Sequence, residues 1–366
     1  MNSEHYMHIA YKLALKGKGT TSPNPMVGAV IVKNNKIIAQ GFHARCGGDH
    51  AEIVALKKAG EKARGATLYV TLEPCAHHGR TPPCVNRIID SGIAKVVIGM
   101  KDPNPLMNGK SVVILKKFGI KVEVGCLEDE LTRMNEVFIK YIKERMPFVT
   151  TKTAQTLDGK IATSRGDSKW ITSESTRAYA RSMRDQFDGI MVGANTVKSD
   201  DPGLNPFHKG KRLKKIVVDS TLALSSKARL FQGADPSDVI IATTAKAARS
   251  KMETFSKMGS LVLVAPAKGK HGHVDLKWLM KELAKLEISS VLIEGGGRLI
   301  GRAIKDGLVD RMMIYIAPKI FGDQNGVSSI AGLNIMDVNK AVSLKDVTVK
   351  FLKPDILIEG YVHRNR

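Results

Sequence analysis

Three short runs, His50-Ala51-Glu52, Glu73-Pro74-Cys75 and Pro82-Pro83-Cys84, gather one imidazole, two thiols and two carboxylates in neighbouring chain. An imidazole and two thiolates are borderline-to-soft ligands, the set that suits a tetrahedral Zn2+ whose fourth position stays open for water. An open position marks a catalytic metal. Glu52 is the informative companion. Two residues of helix turn through roughly 200°, so His50 and Glu52 flank one metal only where a helix begins and its first turn faces the site. Pro82 and Pro83 make a good helix entry, which makes Cys84 an early residue of a helix over 84–91 ended by Gly92. A thiol at that end has a lowered pKa and supplies the thiolate that a metal needs.

The order HxE then PCx(n)C is the zinc-deaminase signature, in which the glutamate handles protons and is not a ligand. The expected metal set is therefore His50, Cys75 and Cys84, with Glu52 as the catalytic acid/base. Cys46 and Cys126 belong to no spacing motif and read as ordinary free thiols.

The elements that must carry these residues follow from pattern. With 366 residues and 43% hydrophobic content, the chain can bury large cores, and its length suggests two domains. In the first half a helix over 4–15 precedes strands over 27–33 and 36–42, joined by the tight turn Asn34-Asn35. Then come the His50 helix, a strand over 67–72, the Cys84 helix, a strand over 95–100, a helix over 109–118, a strand over 121–124 and one helix over 128–145. Strands separated by helices imply a three-layer α/β sandwich. Pro147 cannot continue a helix, which sets the boundary between domains 1–146 and 147–366. The second half alternates again and closes with a hairpin over 342–352 and 355–362, predicting a mostly parallel sheet with an antiparallel edge. In that half Glu294-Gly295-Gly296-Gly297-Arg298 is a strand running into a glycine-rich helix start, either a phosphate cradle or a plain tight turn.

Four cysteines, two of them assigned to metal, leave no disulfide framework and point to a reducing, cytoplasmic setting. The first 14 residues carry charges and no unbroken apolar core, so no signal peptide and no membrane span are expected. Lys+Arg 57 against Asp+Glu 35 gives +22, which raises nucleic acid as a partner. Yet the lysines are scattered and aromatics are only 5%, too few for base-stacking platforms. A basic surface that attracts small phosphorylated substrates fits better than a nucleic-acid-editing deaminase, which also needs no second domain.

Ser22-Pro23-Asn24-Pro25-Met26-Val27-Gly28, Gly41-Phe42-His43, His50-Ala51-Glu52, the run from Thr71 to Cys84 and Asp102-Pro103-Asn104-Pro105 together resemble the deaminase half of the bifunctional riboflavin-biosynthesis family RibD. The resemblance implies a cytidine-deaminase-like fold and hydrolytic removal of the 2-amino group of 2,5-diamino-6-(5-phosphoribosylamino)pyrimidin-4-one. It places Asn24, His43 and His77 in the substrate pocket and Arg80 at the ribose phosphate. Taken alone, either histidine would read as a satisfied structural residue.

The runs from Lys152 to Lys160 and from Gly166 to Thr172, with Arg184, Gly193-Ala194-Asn195-Thr196-Val197, Asp200-Asp201-Pro202 and Glu294 to Arg298, are similar to the reductase half of that family. This half implies a dihydrofolate-reductase-like fold in which NADPH delivers hydride to C1′ of the ribose. By the resemblance, Ala154, Trp170, Thr196, Asp200, Gly295, Gly296, Gly297 and Arg298 contact the cofactor, and Ser168, Arg184, Leu204 and Glu294 hold the substrate. Trp170 reads equally as core, and Asp200 is a candidate proton donor. A homo-oligomer is expected. One departure stands out: the family commonly carries an arginine three residues after the leucine of DPxL, and this chain has Phe207. His208, Lys209 or Arg212 are the nearby substitutes for that phosphate clamp.

Overall fold

The computed structural model describes residues 2–76, 83–105, 107–232, 235–266 and 272–363. The chain divides into two compact units, Met1–Met146 and Pro147–Arg366.

In the first unit a five-stranded sheet runs in the order β2-β1-β3-β4-β5, formed by β1 (Gly28–Lys33), β2 (Lys36–Phe42), β3 (Thr67–Leu72), β4 (Lys95–Met100) and β5 (Lys121–Val124). β1 pairs antiparallel with β2 and β3, whereas β3, β4 and β5 are parallel. The three central strands β1, β3 and β4 are buried almost throughout, as helices on both faces require. Two close approaches fix those faces. A Cβ on Gly28 would lie 2.0 Å from the Ala10 carbonyl oxygen of α1 (Ser3–Ala14), and one on Gly41 would lie 2.3 Å from the Ala51 oxygen of α2 (Ala51–Ala59). Gly41 stands opposite Ala29, the neighbour of Gly28, so the two glycines point to opposite sides of the sheet. Helices α1 and α2 therefore sandwich it, and α3 (Cys84–Asp90) and α4 (Lys110–Lys117) continue the α2 layer.

The single helix expected over 128–145 is two, α5 (Glu128–Met134) and α6 (Glu136–Glu144). At the break, the Asn135 side chain accepts from the Met26 N–H at 2.9 Å and donates to the Met26 carbonyl at 3.1 Å. That reciprocal pair pins Asn135 beside the entry to β1, and its own backbone leaves the helical region at φ −102, ψ 19.

The second unit is built on a nine-stranded sheet of order β11-β10-β9-β8-β12-β6-β13-β16-β15. Its strands are β6 (Phe148–Gln155), β8 (Gly189–Gly193), β9 (Lys214–Val218), β10 (Val239–Thr244), β11 (Leu261–Ala265), β12 (Ser290–Glu294), β13 (Arg311–Ile316), β15 (Leu344–Leu352) and β16 (Asp355–Val362). All pairings are parallel as far as β13, and β13-β16-β15 are antiparallel. Helices α7 (Glu174–Met183), α8 (Ala194–Asp200), α9 (Arg249–Lys257), α10 (Leu276–Lys285) and α11 (Gly297–Lys305) make the crossovers and supply the buried faces. A small ladder of β7 (Lys160–Ala162) with β14 (Val327–Ser328) lies apart from the main sheet. The sequence pattern showed neither that ladder nor α8 as a helix. The expected α/β class, three-layer sandwich followed by a mostly parallel sheet with an antiparallel edge, is the architecture observed. Among the described residues no helix is long and apolar enough to cross a membrane.

Candidate functional site

In the first unit His50 is the residue that caps α2, with extended backbone at φ −69, ψ 157, so its ring leaves the helix at its open end. Glu52 then falls in the first turn and is 3% exposed. Pro83 caps α3 and makes Cys84 its first residue. The Cys84 N–H donates to the Cys75 sulfur at 3.2 Å, which ties Cys75 to the helix start. His50 Nδ1 stands 3.2 Å from Cys84 Sγ and 3.6 Å from Cys75 Sγ. These three donor atoms all lie within 4.8 Å of one another. Tetrahedral zinc with ordinary Zn–S and Zn–N bonds separates an imidazole nitrogen from a thiolate sulfur by about 3.5 Å. The donor set and its spacing therefore fit zinc.

Electrostatics agree with that fit. The hydrogen bond from the Cys84 thiol, with help from His50, pulls the Cys75 thiol down, toward the thiolate that a metal needs. Cys84 moves the other way, because it shares its proton with Cys75 and is buried. Burial raises the Glu52 carboxyl, although His50 opposes it.

Around the triad, His43 is buried and its two nitrogens are both engaged. Nδ1 lies 3.0 Å from the Asp49 carbonyl, which can only accept, so Nδ1 carries the proton. Nε2 therefore accepts from the Asn24 amide at 3.2 Å. Burial pushes the His43 pKa down, which keeps the ring neutral, and the ring sits edge-on to His50 at 5.4 Å. Asn24 and His43 are thus brought to the metal cluster as a linked pair. His77 and Arg80 lie outside the described residues. Sequence reasoning gave Glu73 no role of its own. Its buried carboxylate accepts from Asp102 N, Gly109 N, Ser111 N and Ser111 Oγ at 2.9–3.1 Å, bracing the strand end that leads to Cys75.

In the second unit a cavity of about 810 Å³ opens beyond the carboxyl ends of β6, β8 and β12, where parallel sheets place ligands. Ala154, Ser168, Trp170, Arg184, Thr196, Asp200, Leu204, Gly295 and Gly296 all line it. Gly295 and Gly296 have φ of +77 and +78, a turn that side chains disfavour, and they deliver the backbone to the start of α11. That cradle, in a cavity of this size, fits a phosphate-bearing dinucleotide. Three nominated residues fall elsewhere, Glu294 in an adjoining cavity and two others on α11. Gly297 packs under the Ser328 and Ser329 backbone, and Arg298 is exposed and absent from the cavity lining, because each helical step carries the side chain about 100° round the axis.

Trp170 is not core: it is 61% exposed and forms a cavity wall, with the Arg177 guanidinium 4.2 Å from its ring centroid. Arg184 and Glu294 form a bidentate pair at 2.9 Å on both arms, and Arg184 Nη1 also donates to the Asn205 carbonyl at 3.1 Å. The pair holds the Glu294 carboxyl below its ordinary value in spite of burial. Glu294 stands beside Lys152 in the β12–β6 ladder. Lys152 lines this cavity and an adjoining one of about 390 Å³, and burial lowers its pKa. Sequence reasoning did not single out Lys152, which stands among threonines in β6. Asp200 is pushed upward by burial, with Lys169 pulling against it.

Phe207 is 46% exposed on the cavity wall. None of His208, Lys209 and Arg212 lines the cavity. His208 is tied to Asp185, and Arg212 lies 3.6–3.7 Å from Asp238 and Asp235.

Comparison with known proteins adds the lineage. Residues 1–100 match the cytidine and deoxycytidylate deaminase zinc-binding region, and residues 147–358 match the RibD C-terminal domain. The riboflavin biosynthesis protein RibD of Actinobacillus pleuropneumoniae is 44% identical over 363 residues, covering 99% of this chain and 96% of the relative. The Aquifex aeolicus protein of the same name is 43% identical over 357 residues, covering 97% of each. Among solved structures, RibD of Acinetobacter baumannii superposes with a TM-score of 0.89 at 35% identity. The diaminohydroxyphosphoribosylaminopyrimidine deaminase/5-amino-6-(5-phosphoribosylamino)uracil reductase of Thermotoga maritima does so with 0.85 at 38%. Each of those two matches covers 99% of both chains. With both halves matched in order and over nearly their full length, the chain belongs to the RibD family of riboflavin biosynthesis proteins.

Proposed function

We propose that this chain carries out two successive steps of riboflavin biosynthesis, with domain 1–146 as the deaminase and domain 147–366 as the reductase. The first removes ammonia hydrolytically from 2,5-diamino-6-(5-phosphoribosylamino)pyrimidin-4-one. The second reduces the ribosyl group of 5-amino-6-(5-phosphoribosylamino)uracil to ribityl. The observation that carries the reading is the convergence of His50, Cys75 and Cys84 around one point with Glu52 buried beside them.

In the deaminase His50, Cys75 and Cys84 hold zinc, which when bound lowers the pKa of a water towards about 7. Glu52 takes the proton of the attacking water and returns protons to the departing amine, so that ammonia leaves neutral. The neutral His43 and its partner Asn24 orient the pyrimidine, together with His77 and Arg80 by family resemblance.

In the reductase Ala154, Trp170, Thr196, Asp200, Gly295 and Gly296 hold NADPH, which when bound supplies hydride to C1′. Opening the sugar needs a proton at its ring oxygen. Asp200, whose carboxyl burial shifts toward the neutral form, is the candidate donor, and Lys152 is the second group able to hold a proton in the same cavity. Ser168, Leu204, Arg184 and Glu294 position the substrate. The four free cysteines support a reducing, cytoplasmic setting. Val347, Val349 and Phe351, exposed at alternate positions of the edge strand β15, support a homo-oligomer.

The test follows zinc content, ammonia release and NADPH oxidation in wild type and Glu52→Ala. Zinc retained, ammonia release lost and reduction of supplied deaminated intermediate preserved is the expected result. Ammonia release surviving in the variant would overturn the assignment of Glu52. Zinc binding without either activity in wild type would favour a different amine-bearing base as substrate.

A further inference from the structure

The reductase substrate in this reading carries a 5-phosphate, and the side chains nearest to hand for it are mostly committed. Helix α7 presents Arg177, Arg181 and, just past its end, Arg184 on one side at helical spacing. Arg177 is stacked over Trp170 and donates to the Thr172 carbonyl at 2.6 Å. Arg184 is neutralised by Glu294 and spends a further N–H on Asn205. Arg181 is an exposed residue that lines both cavities, and among the described residues it has no carboxylate or carbonyl partner. Its guanidinium keeps its full charge and all five donors for a ligand.

The other free cations of the cavity are worse placed. Lys169 faces the Asp200 carboxylate. Arg229 lines only the larger cavity. The glycine turn and Thr196, which serve the cofactor, line only the larger cavity as well. Arg181 stands where that space meets the smaller one, beside Lys152, Arg177 and Arg184. Phe207, for its part, brings no charge to the wall.

Resting on the reductase reading above, we propose that Arg181 is the anchor for the 5-phosphate of the ribotide, a specificity residue that selects phosphorylated over dephosphorylated sugar. A planar guanidinium meets two phosphate oxygens at once, a match that a point charge does not give.

Two measurements on the full chain test it. The first is calorimetric binding of ribose 5-phosphate and of ribose to wild type, Arg181→Gln, Arg181→Lys and Arg229→Gln. The second is the reductase Michaelis constants for ribotide and for NADPH in the same proteins. Charged hydrogen bonds of this kind are worth roughly tenfold to a hundredfold in affinity. Arg181→Gln should lose a preference of that size for the phosphorylated sugar and raise the ribotide Michaelis constant alike, with turnover at saturation and the NADPH constant unchanged. Arg181→Lys should recover part of it, and Arg229→Gln should behave as wild type. A wild type that prefers ribose 5-phosphate no more than ribose would overturn the proposal. So would an Arg181→Gln protein that keeps the preference, or one in which only the NADPH constant rises. Arg181-dependent binding of ribose 5-phosphate in a protein that never oxidises NADPH with the ribotide would instead sink the reductase reading and leave the anchor standing.

Discussion

Replacing Glu294 by Gln exposes how much of the reductase domain rests on one buried ion pair. The side chains of Arg184 and Glu294 are 14% and 12% exposed and meet through two 2.9 Å contacts. Opposite charges about 4 Å apart at an effective dielectric near 20 attract by about 4 kcal/mol. Removing one partner of such a pair costs about 3–5 kcal/mol, mostly because the other charge is left buried and alone. Here the stranded charge has buried Lys152 as a neighbour, so relaxation offers little relief. At about 2–4 °C per kcal/mol for a unit of this size, the domain should melt about 10 °C lower. Both tryptophans of the chain, Trp170 and Trp278, lie in this domain, so urea unfolding followed by tryptophan fluorescence reports on it selectively. The double variant Arg184→Met/Glu294→Gln should regain most of the loss, because an apolar replacement of a buried pair is often close to neutral. A single Glu294→Gln variant that loses less than about 1 kcal/mol, or a double variant no better than the single, would refute the reasoning. The sign with pH is fixed too. The folded-state pKa of Glu294 lies below its ordinary 4.5, so the stability it confers is present above that value and lost as pH falls below it.

Further outcomes follow from other contacts. Chelating zinc should stop ammonia release and leave NADPH oxidation with the deaminated substrate intact, as parallel assays on one sample would show. Glu73→Gln turns an amide N–H₂ toward two of the four donors and should destabilise the deaminase unit by about 1–3 kcal/mol, with zinc lost at lower chelator concentration. Lys215, whose buried ammonium donates to Asn205 and to the Leu230 carbonyl, has its pKa pushed down to about 8. Since that is below the unfolded value of 10.5, stability should rise with pH between the two, and Lys215→Met should flatten the rise in a urea-midpoint series. Phe207→Arg should lower the reductase Michaelis constant for ribotide by adding a further guanidinium at the cavity wall; an unchanged constant would count against weak phosphate anchoring there.

What the sequence disclosed depended on how local the cause was. The metal triad was legible because zinc dictates residue types and because prolines and helix starts dictate where those residues stand. The parallel sheets were legible from alternating apolar runs. The break at Asn135 was not, since it arises from a contact with Met26 that lies 109 residues away in the chain. The β7–β14 ladder escaped for the same reason: its halves come from distant loops. Charged residues were the hardest. Lys152, Glu73 and Arg181 look alike in sequence as solvated side chains, and only the packed structure distinguishes a buried cation, a braced carboxylate and an uncommitted guanidinium.

The joining of two helix starts at the metal cluster has a consequence for chain entropy. His50 and Cys84 are 34 residues apart, and a bridge across them ties off a loop of that length. By the loop-closure relation used for covalent cross-links, such a tie removes about 4 kcal/mol of freedom from the unfolded chain. The same three donors that serve the chemistry thus act as a clasp on the deaminase unit. The chain from α2 to α3 should accordingly become more open to proteases when the clasp is undone.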